Sequence, residues 1–220
     1  MARGRTGARR GNVHHAKRCA TRRVTAARSI GTDQILGGTD LRTFVALDVP
    51  EDLKSQLAVQ QFLLPIPRKV ARDQFHITLA FMGDLPDAAL EALDEGLTAL
   101  RMRTFELSLS GFGLFGKARP NAVWAAVAPS KPLSRLHAKV ARAGRLAGAK
   151  IPARNFTPHI TLGRFAPMGM EEAAPLERAV IAGAGFRAGP WEVAEMLLYH
   201  STLTADGPRY DVLARYPLAG

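Results

Sequence analysis

Residues 74–83 and 155–165 both contain the tetrapeptide His-Ile-Thr-Leu, at 76–79 and again 83 positions later at 159–162. From this chain's own composition, a given histidine would be followed by Ile-Thr-Leu about once in several thousand trials, so the recurrence marks an internal repeat. Side chains alternate along a β-strand. Each copy therefore sets an imidazole beside a hydroxyl on one face, His76 with Thr78 and His159 with Thr161. Ile77, Leu79, Ile160 and Leu162 point the other way, into a core. One histidine on a half-apolar strand is ordinarily a hydrogen-bonded structural residue; two in matching context read as a functional pair.

Three chemistries use such a pair. A zinc site wants three or four ligands, and neither copy has another His, Cys or carboxylate at ligand spacing in both places; Asp73 lies near His76, but its counterpart is Phe156. Nucleophilic catalysis wants an activated Ser, Cys or Lys beside a base, and the repeat offers only Thr. Concerted acid–base work fits best: one neutral imidazole takes a proton while the other, protonated, gives one to a leaving oxygen. The hydroxyls of Thr78 and Thr161 can donate to non-bridging phosphate oxygens. Arg164, two positions past Leu162, adds a bidentate phosphate contact if it faces the site and is otherwise a surface arginine.

The elements around the two motifs repeat as well. Residues 41–50 read as a buried strand ended by Pro50, and residues 50–64 as a helix with Leu53, Leu57 and residues 59–63 at near-helical spacing. The first His-Thr strand is closed by Gly83-Asp84 and followed by a helix with Leu90, Leu93, Leu97 and Leu100 along one face. A strand alternating at Phe105, Leu107 and Leu109 comes next. The order then recurs: a strand at 121–129, a helix with Leu133, Leu136, Val140 and Leu146 on one side, the second His-Thr strand, and a proline-interrupted helix at 170–183. A strand at 191–203 with a hairpin into 209–218 completes it. A unit of about 80 residues is far longer than solenoid repeats, so the pattern predicts a duplicated lobe, with two lobes facing across a cleft.

Composition narrows the class. The chain has 220 residues, 47% of them hydrophobic, and a net charge of +11. Nine Lys/Arg against Asp33 and Asp40 put +7 of that charge in residues 1–40, a segment poor in large apolar residues; it is expected to be a disordered basic extension without a role in the chemistry. An organelle transit sequence and a nucleic-acid-binding arm are the alternatives for it. Cys19 is the only cysteine, which excludes disulfide frameworks and multi-cysteine metal sites. No apolar run is long enough to span a bilayer and no signal-peptide core is present, so a cytoplasmic protein with no membrane association is expected.

Several other features have plainer readings. Gly111 to Gly116 satisfies G-x-G-x-x-G, but it leads into a turn and strand, so it reads as a hairpin connection and not a dinucleotide fingerprint. Phe112 and Phe115 are expected in the core, with a cleft position for base stacking as the alternative. His137 reads as a surface residue of its helix, and nothing at motif level ties His200 to the site. Arg135, Lys139, Arg142 and Arg145 lie on one side of a helix and read as a solvated face, a phosphate track being the minor alternative.

The runs FHITLAFMG and PHITLGRF resemble the two His-x-Thr signatures of the two-histidine (2H) phosphoesterase superfamily. The resemblance runs from Arg42 through the last strand. With FVALDVP at the start and Arg209-Tyr210 near the end, it is most similar to the bacterial RNA 2',3'-cyclic phosphodiesterases, also called 2'-5' RNA ligases. It implies an α+β, bilobal fold over 41–220, in which two pseudo-duplicated lobes each carry an antiparallel sheet with outer helices and enclose an active cleft. It implies hydrolysis of RNA 2',3'-cyclic phosphate ends, tRNA fragments among them, to 2'-phosphomonoesters, by a monomer with no cofactor and no metal. His76 would be the proton donor and His159 the proton acceptor, with Thr78, Thr161 and Arg164 holding the phosphate. Reversal, with a 5'-hydroxyl in place of water, would be 2'-5' ligation and would exchange the two proton roles. A 2H enzyme for another cyclic nucleotide and a non-catalytic nucleotide- or RNA-binding module are the alternatives.

Overall fold

The computed structural model of the protein describes residues 40–153, 155–205 and 207–218. The expected basic extension therefore lies, but for Asp40, outside the described residues. The elements in chain order are β1 (Leu41–Asp48), α1 (Glu51–Leu63), β2 (His76–Leu85), α2 (Asp87–Thr98), β3 (Phe105–Phe115), β4 (Ala122–Val127), α3 (Lys131–Leu146), β5 (His159–Arg164), α4 (Met170–Ala182), β6 (Arg187–Val193), β7 (Glu195–Thr204) and β8 (Gly207–Pro217). Single 3₁₀ turns at Arg72–Gln74 and Gly183–Gly185 lead into β2 and β6. The strand expected over 191–203 is divided at Ala194 into the end of β6 and the start of β7.

All eight strands form one antiparallel sheet in the order β6-β3-β4-β5-β2-β1-β7-β8. The expectation of a separate sheet in each repeat is corrected here. The last strand of the first repeat pairs only outside it, β3 with β4 and β6, and β7 of the second repeat pairs with β1 of the first as well as with its own hairpin partner β8. The cause is local for β3, because only residues 116–121 separate it from β4 and a short hairpin closes at little entropic cost. Gly111 (φ 77°) sits where the β3–β4 register shifts, and Gly116 (φ 105°) opens the turn, so the G-x-G-x-x-G run ends in the expected hairpin but lies mostly within β3 and carries a bulge.

The middle of the sheet is the narrowest join. β2 and β5 share one paired position, Ile77 with Ile160, both fully buried. Beyond it, β5 takes its partner from the segment between α1 and β2. Val70 N–H donates to Leu162 O (2.9 Å), Arg164 N–H donates to Arg68 O (3.1 Å), and Lys69 bridges Gly163. The side-chain amide of buried Gln61, on α1, fastens the same strap by donating to Val70 O (2.8 Å) and Leu162 O (2.7 Å).

The helices bury most of the expected stripes, although Leu100 lies past the end of α2 and is half-buried. Leu90, Leu93 and Leu97 of α2 and Leu133, Leu136 and Val140 of α3 are in the core, and Ser130 caps α3 by accepting from Leu133 N–H. Leu146, however, is exposed at the end of α3. On α1, Leu53 and Leu57 face inward while Val59, Phe62 and Leu63 face out, because Gln61 and not the apolar run turns toward the strap. Helix α4 is continuous through Pro175. Among the described residues no helix is long and apolar enough to cross a membrane.

Gly163 lies under the strap, and a Cβ there would come within 2.9 Å of Arg68 O, a backbone atom. Gly163→Ala is expected to lower stability by about 1–3 kcal/mol in urea unfolding through this overpacking. An unchanged midpoint would contradict the close approach.

Candidate active site

Sequence places His76 and His159 at the first positions of β2 and β5, where the chain enters the sheet from a loop. That position lets each ring fold back on its own loop. His76 Nδ1–H donates to Gln74 O and His159 Nδ1–H donates to Thr157 O, both at 2.7 Å, so the two rings are held by carbonyls two residues upstream in the same way. With the proton on Nδ1, each neutral ring offers the Nε2 lone pair. For His76 that atom is 3.1 Å from Thr78 Oγ1, whose hydroxyl donates to it.

The β2–β5 join explains how the pieces meet. Ile77 faces Ile160 in an antiparallel pair, so one step either way sets His76 opposite Thr161 and Thr78 opposite His159. The cavities follow that cross-pairing. One of about 280 Å³ is lined by His76 and Thr161, and one of about 810 Å³ by Thr78 and His159. Arg164 lines both, and also a third of about 460 Å³ beside Phe44 and Tyr210. All five residues expected at the site thus line one or another of these cavities, with exposed Arg164 common to all three.

Burial and charge act together on the imidazoles. Burial pushes the His76 pKa down to about 4; its bond to the Gln74 carbonyl opposes the fall, and the charges of Arg164 and His159 add to it. His159 is lowered too, chiefly by burial and then by Arg164, against the Thr157 carbonyl. Both rings are therefore neutral near pH 7 while the site is empty of anions. A phosphate anion between them and Arg164 would reverse the sign of the local field and favour an imidazolium.

Aromatic rings enclose each histidine. Phe44 lies 5.1 Å from the His76 ring and Tyr210 meets it edge-on at 5.4 Å; Phe115 meets His159 edge-on at 4.9 Å, with Trp124 at 5.8 Å. Phe115 therefore lines the site, whereas Phe112 stacks on Phe186 (5.0 Å) and packs against the core, as expected. Gln74 has a second contact: its side-chain amide donates to Pro208 O at 2.5 Å, tying the β7–β8 hairpin to the loop that orients His76. His137 is not a free surface group. It is half-buried, its Nδ1 bonds Leu79 O (2.7 Å), its ring stacks on Phe156 at 4.0 Å, and it borders the larger cavity. His200 lines none of the three cavities, and Arg135, Arg142 and Arg145 are exposed, away from them; Lys139 donates to Arg101 O (2.7 Å). No group of three or more His, Cys, Asp and Glu able to hold a metal ion occurs among the described residues.

Sequence reasoning missed Gln61, Arg68, Gln74 and Phe44 as site-building residues. Gln61 was detectable as a polar residue inside an apolar helical run, and Arg68 as part of the Arg-Lys pair upstream of His76. Gln74 acts through its backbone carbonyl, which no sequence marks.

One antiparallel sheet sets two first-residue histidines in neighbouring cavities, each with the other strand's threonine, and Arg164 lines both. The family model for the 2'-5' RNA ligase superfamily matches residues 49–202, and the chain belongs to that superfamily. RNA 2',3'-cyclic phosphodiesterases from Thermus thermophilus (33% identical over 82% of this chain and 91% of the relative) and Escherichia coli K12 (30%, 80% and 96%) are similar along the fold. The chain spans 58% of the length of a Geobacillus stearothermophilus RNA 2',3'-cyclic phosphodiesterase that is 29% identical over 81% of this chain. Among solved structures, E. coli LigT in its apo form matches with a TM-score of 0.67 at 26% identity, covering 84% of this chain and all of LigT.

The lowered pKa of His76 has a consequence for stability. Its folded value, about 4, lies below its unfolded value of 6.5, so stability from the neutral ring is complete above pH 6.5 and is lost as pH falls toward 4. Thermal melts of His76→Asn between pH 7.5 and 4 should show a shallower acid slope than the parent. Parallel slopes would contradict the burial argument.

Proposed function

We propose that the protein hydrolyses RNA 2',3'-cyclic phosphate ends to 2'-phosphomonoesters without a metal, His76 and His159 exchanging protons with the two sides of one phosphate. The observation that supports this most is the matched pair of rings, each with Nδ1 held by a carbonyl 2.7 Å away and Nε2 left for chemistry beside a shared arginine. His159 Nε2 takes a proton from water as the water oxygen bonds phosphorus. His76 Nε2 gives a proton to the 3' oxygen as its bond to phosphorus breaks. Arg164 and the hydroxyls of Thr78 and Thr161 hold the non-bridging oxygens, where charge is carried through the transition state. Proton exchange with water resets the pair. A 5'-hydroxyl at the water position, with the steps run backward, gives 2'-5' ligation.

The duplication reading belongs to the same proposal. The sheet order is matched about its middle, β5-β4-β3-β6 on one side and β2-β1-β7-β8 on the other, with the histidine strands innermost. That order fits two pseudo-equivalent lobes with the site at their junction. The RNA 2',3'-cyclic phosphodiesterase relatives, and a structure of E. coli LigT complexed with 3'-AMP, support a nucleotide substrate.

A short oligonucleotide ending in 2',3'-cyclic phosphate is expected to be opened in the presence of EDTA to a 2'-phosphate product. His76→Ala and His159→Ala should each lower kcat about 10²–10⁴-fold. No turnover by the parent protein, or a 3'-phosphate product, would sink the proposal. The pH profile follows from the empty-site pKa directions: kcat/KM should be bell-shaped and centred on the acid side of ordinary histidine, with the kcat profile displaced to higher pH because the bound anion raises both pKa values. Coincident profiles would argue against two imidazoles facing the phosphate.

A further inference from the structure

The least expected surface of the molecule adjoins the smaller cavity. Phe62, at the end of α1, is 77% exposed, with Leu63 and Val59 exposed beside it. A large aromatic left in water on a helix whose inner face is already buried has no part in the core. It is not loosely placed, however. Its neighbour Gln61 is buried and bonded to Val70 O and Leu162 O, which fixes the end of α1 against the strap and β5. Across the ring lies Lys69, whose Nζ is 5.2 Å from the Phe62 centroid.

Lys69 is the link to the chemistry. Lys69 and Arg68 line the cavity that holds His76, Thr161 and Arg164, and the strap they sit on is hydrogen-bonded to Leu162 and Arg164. From the histidine outward the surface therefore runs from Arg164 to Arg68, to Lys69 and then to the open face of Phe62. A run of cations leading to an exposed ring next to a phosphate site forms the pattern that binds single-stranded nucleic acid: cations follow the backbone and the ring accepts a base by stacking. The cavity of about 280 Å³ is small for a drug-sized ligand and suits a nucleotide's phosphate and sugar, leaving the next unit of a polymer outside it.

We propose that Phe62, with Lys69 and Arg68, is an RNA-binding subsite outside the catalytic cavity that stacks a base upstream of the cyclic phosphate. It makes the protein selective for oligonucleotide ends over mononucleotide 2',3'-cyclic phosphates. This rests on the function proposed above and extends it to the class of substrate: a single-stranded RNA end at least two nucleotides long.

The test compares kcat/KM for a tetranucleotide and a mononucleotide, each with a 2',3'-cyclic phosphate, in the parent protein and in Phe62→Ala, Phe62→Leu and Phe62→Tyr. Anisotropy measures binding of the tetranucleotide ending in 2'-phosphate. Phe62→Ala and Phe62→Leu should lose about fivefold or more in oligonucleotide kcat/KM and in affinity, with mononucleotide turnover unchanged and Phe62→Tyr close to the parent. Lys69→Ala should flatten the salt dependence of oligonucleotide binding. Equal losses on both substrates, no loss on either, or full activity in Phe62→Leu would overturn the proposal. So would a parent dimer that Phe62→Ala dissociates with oligonucleotide kcat/KM intact, since a second copy would then cover this face. No turnover of any substrate by the parent would instead refute the phosphodiesterase reading, and the anisotropy series would still decide whether Phe62 binds RNA.

Discussion

The site depends on a single antiparallel contact, Ile77 against Ile160. Two strands that enter the sheet there in opposite directions begin with histidine, one residue before the contact on each side. Antiparallel register then sets each histidine across from the other strand's threonine. Were the pairing shifted by one residue, each strand's imidazole and hydroxyl would swap to the face now held by Ile77, Leu79, Ile160 and Leu162. The burial of those four apolar side chains is therefore what holds the imidazoles on one face. The strap from Arg68 to Val70 completes the arrangement by occupying the edge of β5 that β2 leaves free, and it brings its own cations into the cavity.

Electrostatics in this site favours a visiting anion over a resting charge. Desolvation of each half-buried imidazole, with Arg164 adding to it, disfavours protonation, which is why both pKa values fall. Burial does most to keep them neutral and the positive field of Arg164 adds to it; an entering phosphate is stabilised by that field while making imidazolium accessible. In the proposed reaction, binding and acid–base readiness are one event. The backbone carbonyls of Gln74 and Thr157 set which nitrogen takes part, and through Gln74 the β7–β8 hairpin is coupled to that choice.

Much of this was legible in the residues. Alternation and duplication singled out His76, Thr78, His159 and Thr161, and the two-residue offset from Leu162 offered Arg164 as a phosphate contact or a surface residue; all five line the cavities. The strand and helix order followed from apolar period, since Leu90, Leu93 and Leu97 or Leu133, Leu136 and Val140 have only one way to be buried. Three things were not legible. Strand partners are non-local, so β3 was assigned to its own repeat although both its partners lie in the other, and the pairing of β7 with β1 across repeats was not foreseen. The inner face of α1 turned on Gln61, whose two carbonyl partners are distant in sequence or lie in a loop, and this exposed Phe62 where the apolar run suggested burial. His137 looked like a surface residue because its partners, Leu79 O and Phe156, come from β2 and the loop before β5.

The central claim is that both imidazoles face one phosphate. Long-range ¹H–¹⁵N NMR of the histidine rings, titrated with pH with and without an oligonucleotide ending in 2'-phosphate, tests it most directly. The account predicts Nδ1-protonated neutral rings for His76 and His159 in the free protein, both with pKa values below 6.5, and an upward shift of both when the one ligand binds. A shift confined to one ring, or to neither, would contradict it.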